Sequence, residues 1–169
     1  MTGNMMGQAM AHELQHEASA ARKLLEAIPE DKWDYKPHEK SMTIGNLGSH
    51  IAESLEWTET TCQEDSFEMD PETYVPEKAS NREELLKMFD GYAEKAVAAL
   101  AATPDDKMMV PWKFIMAGKV AFEMPRVAVL RSFILSHLVH HRGQLSVYLR
   151  LLDVPVPQIY GPTADDPTM

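Results

Sequence analysis

The chain has 169 residues, 44% of them apolar and 25% charged, and a formal net charge of −10. That composition suits one ordinary globular domain over residues 1–169, long enough to bury a sizeable core. The acidic balance excludes sequence-independent nucleic-acid binding, which needs Lys and Arg clustered against phosphate.

The acid is concentrated. Residues 53–94 hold thirteen Asp and Glu against Lys78, Arg82 and Lys87, a pattern that reads as a solvated face. No uncharged apolar run approaches the roughly 18 residues of a membrane span. Residues 1–10 lack the basic start and apolar block of a signal peptide. Cys62 is the one cysteine. It excludes an intrachain disulfide framework, fits a reducing cytoplasm, and has no local signature of a nucleophile.

In chain order, apolar periodicity predicts a first helix over about residues 8–28, with Leu14, Ala18, Ala21, Leu25 and Ile28 inward. Pro29 ends it, and residues 30–40 read as an exposed loop. A second helix begins at Thr43, a good N-cap, and runs to about Cys62. Ile44, Leu47, Ile51, Leu55 and Thr58 form its stripe; His50, Ser54 and Trp57 flank that stripe on the Leu47 side. Gly45 and Gly48 are costly inside a helix, and the expected compensation is close approach of another backbone near His50.

Residues 63–79, with Pro71 and Pro76, form an acidic crossover. Asn81 and Glu84 resemble a capping box and open a third helix that runs to about Ala102. Residues 105–124 read as short extended pieces around Gly118, with Trp112 and Phe114 packed in the core or at the rim of a site. A fourth helix runs from about Pro125 to Leu152. Pro155 and Pro157 forbid helix beyond it, and residues 158–169 form a strap or tail. The sum is an all-α four-helix bundle with a long crossover between helices 2 and 3 and no convincing strand.

The chemistry gathers in Ser136-His137-Leu138-Val139-His140-His141-Arg142-Gly143-Gln144-Leu145. His137 and His141 are four residues apart, so on a helix they stack on one face, as paired helical zinc ligands do. The apolar stripe Leu130, Ile134, Leu138, Leu145, Tyr148 runs through the same segment. Each histidine lies seven residues after a member of it, about 20° off its direction on an ideal helix. Two core imidazoles in register are well explained by a shared metal ion, because unpartnered ring nitrogens are costly to bury. The third candidate ligand is His50, on a different helix. Three neutral ligands leave a coordination position open for water or substrate and preserve the ion's charge. Such a set suits Zn, Ni, Fe and Cu alike.

Other patterns compete. His12-Glu13-Leu14-Gln15-His16 is a literal H-E-x-x-H, but both histidines lie opposite the buried stripe of helix 1, which argues against a metalloprotease. His140 is not in the i, i+4 relation to His137 and reads as a surface or hydrogen-bonding residue. Glu53 lies one turn after His50 and could orient that ring or act as a base. Arg142 and Gln144 suit a tail contact, an interface or a substrate contact equally. Gly143 could admit a neighbouring backbone. There is no phosphate-binding glycine loop, G-x-S-x-G elbow or C-x-x-C pair.

Taken together, His137 to Leu145 with Tyr148-Leu149-Arg150, then Val154-Pro155-Val156-Pro157, Ile159-Tyr160-Gly161-Pro162, and Ile44 to Glu53, resemble the DinB/YfiT-like family. These are four-helix-bundle metalloproteins that include bacterial thiol S-transferases. The resemblance spans nearly the whole chain. It implies a metal site at His50, His137 and His141, a divalent ion, commonly zinc or nickel with iron also suited, and a homodimer. It also implies a small-molecule substrate, with a low-molecular-weight thiol such as bacillithiol or mycothiol as co-reactant. The reading is a metal-dependent transferase or hydrolase activating a thiol or water, in the cytoplasm, with no nucleic-acid or membrane partner. The pocket is expected between helices 2 and 4, with Trp57 and Trp112 as walls. The alternatives are a non-catalytic metal-binding stress protein and a bundle whose histidines are merely buried.

Overall fold

Apolar residues recurring every third or fourth position become the inward faces of four helical rods. The computed structural model describes residues 3–167; residues 1–2 and 168–169, the ends of the expected domain and of its C-terminal strap, lie outside the described residues. α1 (Met5–Glu26) buries Leu14, Ala18, Ala21 and Leu25. α2 (Ile44–Glu53) starts on Thr43, whose hydroxyl accepts the Asn46 N–H at 3.2 Å. After a turn, α3 (Trp57–Gln63) continues the same rod. The third rod is α4 (Arg82–Ala102), capped by the Asn81 side chain, which accepts the Glu84 N–H at 2.9 Å. The Glu84 carboxylate reaches back to Ser80 rather than Asn81, taking its N–H at 2.9 Å and its hydroxyl at 2.6 Å. After the short α5 (Asp105–Met108), the last rod combines α6 (Arg126–Val129), a π-helical stretch (Leu130–Leu135) and α7 (Ser136–Leu151).

α1 packs against α4 and α7, and α2 packs against the same two. That ring order sets the second rod beside the last one, which is where the histidines must meet. Leu14, Leu25, Ile28, Ile44, Leu47, Ile51, Leu85, Leu100, Leu138, Leu145 and Leu149 are among the side chains removed from solvent in this core. None of the described helices is long and apolar enough to cross a membrane.

Four local expectations need correction. The second helix is not continuous to Cys62. Ser54 gives its hydroxyl to the Ile51 carbonyl at 2.9 Å, and Leu55, Glu56 and Thr58 bond three residues back instead of four, so the ladder tightens and the rod bends. At Gly45 and Gly48 side chains rather than a backbone fill the place of the missing Cβ, although the Gly45 N–H also bonds the Trp33 carbonyl at 3.1 Å. A Cβ at Gly45 would run into the Trp33 ring, and one at Gly48 would meet Leu85 Cδ2 at 2.8 Å and Ile28 Cδ1 at 3.2 Å. Gly143 admits no neighbour, with nothing within 4 Å of its Cβ position. The fourth helix begins after Pro125, its cap, as expected, but it is not continuous: wide π-helical turns interrupt it before His137.

Strands also form. β2 (Pro111–Met116) and β3 (Lys119–Pro125) make a hairpin. Its turn residues Ala117 and Gly118 have φ of 48° and 74°, the positive values that a two-residue hairpin turn needs. These are the extended pieces expected around Gly118. β1 (Ser66–Met69), drawn from the crossover, adds to β2 in parallel with Phe67 opposite Phe114. The sheet seats a second apolar cluster of Trp112, Phe114 and Val129 against Trp57, Phe67 and Met69.

Two arginines tie the connections down. Arg126, fully buried, donates to the carbonyls of Thr61 at 2.7 Å, Glu64 at 2.6 Å and Lys107 at 3.2 Å, and to Asp65. It thus satisfies open carbonyls at the C-terminal end of α3. Arg142, also buried, binds Glu17 on α1 and Tyr160 in the C-terminal strap. That assigns Arg142 to the tail contact among its three expected roles.

Candidate metal centre

The buried centre of α7 is the stripe Leu138, Arg142, Leu145, Leu149. His137 and His141 stand one position behind its first two members. They lie half-buried on the edge that looks across at α2, where His50 occupies the last turn. The three rings form a triangle, with centroids 5.1 Å apart for His50 and His137, 4.6 Å for His50 and His141, and 4.5 Å for His137 and His141. One ligand nitrogen from each lies within 4.8 Å of the other two, and among the described residues no further side chain belongs to the group.

The hydrogen bonds aim these nitrogens. His50 Nδ1 is held by Glu53 Oε2 at 3.3 Å, and His141 Nδ1 by Gln144 Oε1 at 2.8 Å. Each bond uses the Nδ1 proton and leaves Nε2 with a lone pair. His50 Nε2 then stands 3.0 Å from His137 Nε2. Two imidazole nitrogens on one tetrahedral zinc at about 2.0–2.1 Å are separated by about 3.3–3.4 Å, so the spacing fits shared ligation. The donor chemistry fits as well. Burial, with the neighbouring His141 and His50 rings next in weight, pushes His137 down to about 4, and burial lowers His141 too. Both are therefore neutral near pH 7, the form a metal requires.

A carboxylate and a phenol stand behind the first ring. Burial drives the Glu53 carboxyl up, but hydrogen bonds from His50 and Tyr74 outweigh it, and the carboxyl ends below its ordinary range. Tyr74 donates to the other Glu53 oxygen. Burial and that contact with Glu53 push the Tyr74 phenol up to about 12, so it stays a donor. A carboxylate–histidine pair of this kind sets ring orientation and raises ligand basicity.

His50 and His137 open onto a cleft of about 270 Å³ between the second and last rods, walled by Trp57, Met69, Tyr74, Pro76 and Phe133. Trp57 is a wall as expected. Trp112 is not: it is 1% exposed and lines a separate cavity of about 240 Å³ on the far side of Trp57 and Tyr74. Tyr74, Met69 and Phe133 were not anticipated. The sequence carries no signal that separates Tyr74 from Phe67, the other aromatic residue of the same acidic, proline-containing stretch. His140 is exposed and packs edge-on against His141 at 4.8 Å. His12 and His16 are exposed on α1 and do not belong to the group, and Glu13 between them pairs with Arg131. Cys62 is buried, and burial raises its thiol, so it is held protonated away from the cleft.

Comparison with known proteins agrees with this architecture. The DinB family matches residues 1–168. The uncharacterised protein YrdA of Bacillus subtilis is 26% identical over 169 residues, covering 95% of this chain and 93% of YrdA. The crystal structure of the DinB-like protein YjoA from Bacillus subtilis superimposes with a TM-score of 0.71 at 22% identity, covering 89% of this chain and 97% of YjoA. A DinB-like protein from Bacillus cereus gives a TM-score of 0.69 at 18% identity, covering 89% and 95%.

Proposed function

The chain belongs to the DinB family, and we propose that it is a metal-dependent transferase or hydrolase whose divalent ion is held by His50, His137 and His141. The observation that carries this is the pair of Nε2 atoms 3.0 Å apart on different rods, with Nδ1 of His50 and of His141 anchored elsewhere. An ion there, zinc, nickel or iron, would supply Lewis acidity, favouring the deprotonated form of a water or low-molecular-weight thiol beside it. Glu53 keeps the His50 lone pair aimed, Tyr74 keeps Glu53 in place, and the apolar walls limit water around the reacting groups. The homodimer and the cytoplasmic setting belong to this reading.

A second reading, metal binding without turnover, draws on one feature. Both Glu53 oxygens are already engaged, so the carboxylate nearest the ring is not free as a base.

Elemental analysis of untagged protein loaded with zinc or nickel tests the metal. We expect about one ion per chain, lost in His50→Ala, His137→Ala and His141→Ala and kept in His12→Ala. Equal loss in His12→Ala would contradict the assignment. Turnover against a panel of thiols and electrophiles, abolished in His137→Ala, separates the enzyme from the binding protein.

A further inference from the structure

The cleft that adjoins His50 and His137 is apolar once it leaves them. Trp57, Met69, Pro76 and Phe133 form most of its wall, and the one charged side chain on it is Glu53. The cavity behind Trp57 and Tyr74 repeats the pattern, with Glu56 as its one charge. Among the described residues, neither wall carries Lys or Arg. At about 270 Å³, the cleft is just below the roughly 300–1,000 Å³ of drug-sized sites, so it suits one ring or a short branched chain.

We infer that the substrate has a small metal-binding head and an uncharged aromatic or branched-aliphatic body, lodged between Trp57 and Phe133, and that the site rejects bodies carrying carboxylate or phosphate. This rests on the metal reading above. The physical reason is twofold. An apolar body replaces water against rings and a thioether, and each apolar square ångström covered is favourable. An anionic body would be stripped of water beside Glu53 and Glu56 with no cation on the wall to pair it. A thiol or electrophile bearing carboxylates must therefore keep them outside both cavities.

Three hydroxamates separate head from body: acetohydroxamate, benzohydroxamate and 4-carboxybenzohydroxamate. Each is titrated by calorimetry, and by tryptophan fluorescence because Trp57 lines the cleft, into zinc-loaded and metal-free protein. Benzohydroxamate should bind the zinc-loaded protein at least about tenfold more tightly than acetohydroxamate, and the carboxylated ring should lose that gain. Trp57→Ala and the milder Phe133→Ala should bring the benzo-to-aceto ratio toward one. Phe133→Lys should narrow the penalty on the carboxylated ring. Equal affinities for all three probes, or tightest binding of the carboxylated one, would overturn the substrate class while leaving the metal site standing. No gain from zinc for any of the three would instead overturn the metal site, and the inference with it.

Discussion

His50 shows how one ring acquires a direction. Its Nδ1 faces Glu53, Glu53 faces Tyr74, and the remaining nitrogen faces His137. Glu53→Gln keeps the volume but replaces an anionic acceptor with a neutral amide. We expect zinc affinity, measured by competition with a chelator, to fall about 10–100-fold while the fold persists. Tyr74→Phe should cost less, since Glu53 retains His50. Unchanged affinity in Glu53→Gln would remove Glu53 from the site. The three histidines were legible because helical spacing places residues 137 and 141 together, and His50 flanks an amphipathic stripe close to two glycines. Tyr74 was not, because a crossover without periodicity gives no clue to where its side chains land.

Among the elements, the helical glycines separate local cost from tertiary demand. Gly91 and Gly143 have open space where a Cβ would sit, whereas Gly45 is pressed by the Trp33 ring. Gly91→Ala and Gly143→Ala should each stabilise by about 0.5–1 kcal/mol, because alanine loses less backbone freedom in a helix. Gly45→Ala should destabilise by about 1–3 kcal/mol through overpacking. Thermal melts of the three variants check the signs, and a stabilising Gly45→Ala would refute the packing argument. All three read alike in sequence as glycines in helices. The π-helical stretch was equally hidden. It alters the helical phase between Leu130 and His137, so the stripe counted from Leu130 does not carry unchanged into α7.

Across the molecule, Arg142 joins α7, α1 and the C-terminal strap. It is 2% exposed, donates to Glu17 and Tyr160, and holds its guanidinium 4.7 Å from the Tyr160 ring centroid. Tyr160 in turn donates to Glu17 at 2.8 Å. Arg142→Ala strands a buried carboxylate and should cost roughly 3–5 kcal/mol. Tyr160→Phe, which keeps the ring, should cost about 1 kcal/mol. Denaturant midpoints measure both, and an Arg142→Ala loss below the Tyr160→Phe loss would contradict the clasp. The arginine follows His141 directly, so the strap steadies the segment that carries two of the three rings.

Local order in the chain was enough to determine four helical rods, their N-caps at Thr43 and Asn81, and the grouping of His137 with His141, because periodicity and capping act over a few residues. Tertiary structure decided what distant segments bring together: β1 joined to β2, Met69 and Tyr74 carried from the crossover to the site, and Trp112 turned away from it. Those choices depend on which surfaces meet when water is expelled, and no window of neighbouring residues contains that information.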